Sequence, residues 1–150
     1  MPVAFVRKKG SSMEYIFIIF LFFCTVWDIR KQKIPAVLLY TALLLMSIYA
    51  GVGVFGKQRE VVDIAAAAIP GGIIFILAKK SHQIGLGDAL LILLLGIGFS
   101  LETEMKILMI SFFMAAIASV VLLIFECDLK NRRIPFVPYL FMASGIVLFG

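Results

Sequence analysis

Trp27-Asp28-Ile29-Arg30-Lys31-Gln32-Lys33-Ile34-Pro35 and Ile84-Gly85-Leu86-Gly87-Asp88 each place a carboxylate at the edge of an apolar segment. Almost everything around them is apolar. A carboxylate at the end of a membrane helix is costly, and it marks a functional position by default. Asp28 and Asp88 are therefore the first candidates for chemistry, and the rest of the chain decides whether they can meet.

Of the 150 residues, 63% are apolar, and the mean hydropathy is +1.10. An ordinary soluble domain is about 45–50% apolar. A soluble chain of this length could not hide so many Leu, Ile and Phe, so the sequence reads as an all-α integral membrane protein. Charged residues make up only 15% of the chain and fall in clusters between apolar runs, as loops between transmembrane helices do. The net charge of +5 reads as membrane orientation and contact with anionic lipid. No Arg/Lys stripe interleaved with aromatics appears, which argues against a nucleic-acid partner. Cys24 and Cys127 are far apart and neither belongs to a C-x-x-C pair. They predict space-filling thiols, with no zinc site or disulfide framework. No small-residue cleavage pattern follows the first apolar run, which leads straight into Asp28.

The pattern predicts a basic tail over 1–12, with Arg7, Lys8 and Lys9, and one six-helix membrane domain over 13–150. The first apolar run, Tyr15 to Trp27, is short of the roughly 20 residues a spanning helix needs. Its helix either begins near Ser11 or carries Asp28 into the bilayer edge. Pro35 opens helix two, where its missing N–H costs nothing, and Gly51, Gly53 and Gly56 end it near Val54. Helix three covers about Val61–Ala78. Its Ala65–Ala68 stretch invites close approach of another helix, and Pro70-Gly71-Gly72 predicts a kink. Helix four covers about Asp88–Leu101, with Glu102 to Lys106 as its exit. Helix five covers about Ile107–Glu126. Helix six runs from Ile134-Pro135 to the end of the chain. The Phe17, Phe20, Phe22 and Phe23 side chains read as lipid contact, and His82 as a loop residue.

With alternating sides, the loops after helices one, three and five share a face. They carry Arg30, Lys31, Lys33, Lys79, Lys80, Lys130, Arg132 and Arg133, against Lys57, Arg59 and Lys106 opposite. The positive-inside rule places the first face in the cytoplasm, although the basic tail then lies outside. Asp28 ends helix one and Asp88 begins helix four, so both fall on that same face. Asp28-Ile29-Arg30 and Ile34-Pro35 recur at the same spacing as Asp128-Leu129-Lys130 and Ile134-Pro135. That is either a trace of duplication or two turns on one face solved alike.

These stretches resemble the type IV prepilin peptidase family, membrane aspartyl proteases that include the preflagellin peptidases. The family has an Asp followed by basic residues and Ile/Leu-Pro, seen here in Asp28 to Pro35. It has a second Asp in Gly-x-Gly-Asp, seen in Gly85 to Asp88. It has a late basic-x-x-Pro-Phe-x-Pro-like stretch, seen in Arg132 to Pro138. The resemblance covers about residues 15–150. It implies a membrane endopeptidase with catalytic Asp28 and Asp88, and substrate contacts at Gly85, Leu86 and Gly87. It implies prepilin-like or preflagellin-like precursors as partners, in a cell membrane, with no cofactor or metal. Larger members carry an N-terminal region with paired cysteines linked to N-methylation. Its absence here argues against methyltransferase activity. Many members also have Lys two residues after the second Asp, where this chain has Leu90.

Two carboxylates hydrolyse a peptide when one takes a proton from water while the other protonates the carbonyl oxygen. Asp88 at a helix N-terminus favours the ionised form and Asp28 near a C-terminus disfavours it. Asp88 is thus expected as the base and Asp28 as the acid. Gly85 and Gly87 are expected in non-helical backbone that lets a substrate strand approach. Blander readings stand beside this one. Asp88 can be a helix cap, and Asp28 and Asp128 can be interfacial carboxylates paired with nearby bases. The competing function is a non-enzymatic membrane transporter or assembly subunit that uses the Asp residues to bind protons or a cation. A presenilin-like protease shares Gly-x-Gly-Asp but fits six short helices and the late Pro-Phe-x-Pro stretch less well.

Overall fold

The computed structural model describes residues 12–31, 35–56, 60–81, 85–125 and 135–150. Among them are six helices: α1 (Ser12–Lys31), α2 (Ala36–Phe55), α3 (Val61–Ser81), α4 (Leu86–Gly98), α5 (Leu101–Phe125) and α6 (Val137–Phe149). The described residues are all-helical, as expected. Of the six helices, α1, α2, α3 and α5 are long and apolar enough to cross a membrane. The other two, α4 and α6, have 13 residues each. At 1.5 Å rise per residue each is about 20 Å long, against a hydrocarbon core of about 30 Å. Six helices were expected to span, and four have the length for it.

The short α4 is the interior of the bundle. Ala89, Leu90, Leu91, Ile92, Leu94, Leu95 and Gly96 are all buried along it. One apolar core joins them to Phe17 and Leu21 of α1, Leu39 and Met46 of α2, Ile107 of α5 and Leu140 of α6. A helix covered by its neighbours need not match the bilayer thickness. The outward faces of α1, α2, α3 and α5 remain exposed and apolar, with Leu44, Leu45, Ile76, Phe113 and Ile124 among them. In water such a surface would be a liability; in lipid it is the required solvent-facing surface.

Small residues bring α3 and α4 together. A Cβ on Gly71 would overlap the backbone of Leu93, and a Cβ on Gly96 would overlap the carbonyl of Ala67. One glycine from each helix thus faces the other helix, which bears out the close approach expected at Ala65–Ala68. α3 continues through Pro70 as one helix from Val61 to Ser81.

Several boundaries differ from those expected; α3, for one, continues through Lys79 and Lys80 to Ser81. α1 runs from Ser12 to Lys31 and so contains both the early start and Asp28. α4 begins at Leu86, ahead of Asp88, and ends at Gly98. α5 begins at Leu101, so Glu102 to Lys106 are helical and form no exit loop. Ser100 explains the last point. Its hydroxyl accepts from the Thr103 backbone N–H at 3.4 Å and lies 3.0 Å from the Thr103 hydroxyl, an N-terminal cap. Phe17 also departs from expectation. It is fully buried, with its ring edge-on to Phe99 at 5.0 Å between centroids. The tail before Ser12, Lys33, Lys57, Arg59, His82, Cys127, Asp128, Arg132 and Arg133 lie outside the described residues.

Candidate active site

Asp28 sits in the last turn of α1, only 9% exposed. Its carboxylate meets the backbone N–H of Val137, the first helical residue of α6. That N–H has no partner inside its own helix, so the carboxylate satisfies one of the orphan donors of a helix start. The second oxygen, Oδ2, is buried and has no hydrogen-bond partner among the described residues. No described base forms a salt bridge with Asp28. Arg30 is exposed, and Lys31 places its ammonium over the Trp27 ring, 5.1 Å from the centroid. Among the described residues the bland account of Asp28 as an interfacial carboxylate finds no paired base; Lys33 lies outside them.

Asp88 is the third residue of α4, partly buried. Its Oδ2 folds back over Gly85, where an added Cβ would stand 3.0 Å away. Gly85 has φ −63° and ψ 126°, values open to any residue. The glycine thus leaves space beside the carboxylate, and the conformational freedom expected of it is not used. Leu86 and Gly87 are helical, so the extended substrate-pairing backbone expected over Gly85–Gly87 is confined to Gly85. Leu90 points into the core, 7% exposed. A lysine there would bury its charge, which accounts for an apolar residue at that position.

Helix lengths are compatible with a common height for the two carboxylates. Phe17 of α1 touches Phe99 at the end of α4. Eleven residues separate Phe17 from Asp28, and eleven separate Asp88 from Phe99. At 1.5 Å per residue both carboxylates lie about 16 Å from that aromatic contact. Two further pairs, Tyr15–Phe149 and Phe22–Phe141, set α6 antiparallel to α1 and bring Val137 to the level of Asp28. The contacts of Gly71 with Leu93 and of Gly96 with Ala67 set α3 antiparallel to α4. The exposed Lys79 and Lys80 therefore join Arg30 and Lys31 at this end of the bundle.

The sequence matches the type IV leader peptidase family over residues 15–120. The chain belongs to that family. Comparison with curated proteins and with solved structures gave no match. The family match covers both Asp stretches and ends before Arg132–Pro138. It makes the protein a leader peptidase in general terms, and its apolar helices make it a multi-pass membrane protein. Among the described residues, no group of three His, Cys, Asp or Glu gathers to hold a metal ion.

Glu104 is the residue that the sequence reading missed. Its neighbours Glu102 and Lys106 give it the look of an exit loop, yet it is completely buried, and neither carboxyl oxygen has a hydrogen-bond partner among the described residues. The signal was Ser100 as a helix cap ahead of an acidic first turn.

Proposed function

We propose that this leader peptidase cleaves prepilin-like precursors as an aspartic endopeptidase, with Asp28 and Asp88 as its dyad. The reading is supported by the family match over both Asp stretches and by helix lengths that allow the two carboxylates a common level. The buried, unpaired Oδ2 of Asp28 supports it, because a carboxyl oxygen left without a partner is available to a reacting group.

In the proposed reaction Asp88 takes a proton from water as the water oxygen attacks the scissile carbonyl carbon. Asp28 gives its proton to the carbonyl oxygen. The tetrahedral diol then collapses: Asp88 returns its proton to the amide nitrogen, a diol hydroxyl returns a proton to Asp28, the C–N bond breaks, and a carboxylic acid and an amine leave. The start of α4 favours charge on Asp88. The end of α1 disfavours charge on Asp28, and the start of α6 at Val137 offsets this, each by about 0.3–1 kcal/mol. With the dipoles cancelling at Asp28, burial decides, and the proton rests there. The pair titrates as a unit, so its apparent constants belong to both residues.

Gly85 gives the Asp88 carboxylate its room, and the exposed Leu86 beside it offers an apolar contact for the substrate helix. Gly87 keeps that first turn of α4 free of a side chain. The basic residues at this end, Arg30, Lys31, Lys79 and Lys80, favour the cytoplasmic side, so the cut falls near that face. Membership of a peptidase family favours hydrolysis over the transporter reading of the same carboxylates.

The test is cleavage of a prepilin-like precursor in detergent by wild type, Asp28→Asn, Asp88→Asn and Asp128→Asn. Loss in the first two variants with retention in the third is the expected result. Loss in Asp88→Asn and Asp128→Asn with Asp28→Asn active would move the acid to Asp128. Full activity in all three would remove the dyad.

A further inference from the structure

Glu104 lies near the start of α5, at the end of the bundle opposite Asp28 and Asp88. Its side chain is 0% exposed, and both Oε1 and Oε2 lack hydrogen-bond partners among the described residues. Its Oε1 reaches Gly96 of α4, where an added Cβ would stand 3.1 Å from it. The same Cβ would overlap the main-chain carbonyl oxygen of Ala67 on α3. Oxygens from α3 and α5 thus converge on one glycine of α4. A buried carboxyl group without a partner needs a proton or a cation beside it.

No described base supplies the cation. Lys106, two residues along α5, is exposed and bonds Glu102 at 2.5 Å. α3 brings only Asp63, one turn before Ala67 and exposed, and α4 carries no charged residue after Asp88. The helix ends do not settle the matter either. The start of α5 favours a carboxylate by about 0.3–1 kcal/mol, and the carbonyls of the last turn of α4 oppose it by a similar amount. An unpaired carboxylate in such a place costs several kcal/mol. The proton therefore stays on the group.

We infer that Glu104 is a neutral carboxylic acid that donates its hydroxyl proton to the α3 backbone at Ala67, closing the junction of α3, α4 and α5. A helical carbonyl keeps a second lone pair for such a donor. The proton ties α3 and α5 across Gly96, eight residues along α4 from Asp88. Glu104 is thus a positioning residue for α4, and the inference stands whatever chemistry Asp88 performs.

The test is infrared spectroscopy of the purified full chain at neutral pH, with glutamate labelled with carbon-13. A protonated-acid carbonyl band that shifts with glutamate labelling is expected in the wild type. The label separates it from any proton held by Asp28 and Asp88, and the measurement needs no variant. Glu104→Gln, which keeps a hydrogen-bond donor, is expected to lose that band while its thermal midpoint and precursor cleavage stay near wild type. Absence of a labelled acid band in the folded wild type would overturn the inference, as would a Glu104→Gln variant that keeps the band.

Discussion

At the scale of single residues, the two aspartates are held by different means. Asp28 meets the backbone N–H of another helix at Val137, and the Asp88 carboxylate lies over Gly85. Gly85→Ala therefore separates stability from catalysis. The added methyl meets only the far end of the Asp88 side chain, so the folded state loses little. The carboxylate must move by a few tenths of an ångström or rotate away, and small misplacements of catalytic groups cost up to about 100-fold in rate. Cleavage should fall by about 10- to 100-fold with an unchanged melting midpoint; unchanged cleavage would show that the room over Gly85 is not needed. Both aspartates were legible in the sequence, because a carboxylate among apolar residues stands out. Glu104 was not, because it neighbours Glu102 and Lys106 and shares their look of a polar turn. The burial of Phe17 was equally hidden. In a membrane protein both the lipid-facing and the protein-facing sides of a helix are apolar, so composition does not say which Phe points inward.

At the scale of elements, the interface between α3 and α4 sets where Asp88 stands. Gly96→Ala and Gly71→Ala each drive a methyl into main-chain atoms, which cannot step aside as a flexible side chain can. Each should destabilise by about 1–3 kcal/mol or more, read as a lower midpoint in detergent melting. Gly72→Ala and Gly145→Ala meet nothing within 4 Å and serve as matched controls. If all four melt alike, the close contact does not hold the helices. The cap on α5 gives a separate check. Ser100→Ala should cost about 0.5–2 kcal/mol and fray the turn that carries Glu104. The sequence reading found every helix but misplaced the junction between α4 and α5. It took the Glu102–Lys106 charges as an exit loop, whereas the Ser100 cap starts the helix before them. Nor did hydropathy distinguish a buried helix from a spanning one. Both are continuously apolar, and only length separates the 13 residues of α4 from a span.

At the scale of the whole molecule, the bundle has a basic end and an end with more acid. Arg30, Lys31, Lys79 and Lys80 share the level of the aspartates, while Glu60, Asp63, Glu102 and Lys106 lie at the other end. The proposed orientation, with this basic end in the cytoplasm, follows the positive-inside rule. In a variant with Cys24 and Cys127 replaced by serine, Lys80→Cys should react with a membrane-impermeant maleimide only in permeabilised cells. Glu60→Cys should react in intact cells. The reverse pattern would put the aspartates on the outer face. The most direct test of the account is precursor cleavage by Asp28→Asn, Asp88→Asn and the double variant under single-turnover conditions. Residues that act as one unit lose their activity together, so removal of the second adds little to removal of the first. The expected result is an equal and near-complete loss in all three, with the fold retained. A double variant far slower than either single one, or an active single variant, would contradict a shared Asp28–Asp88 dyad.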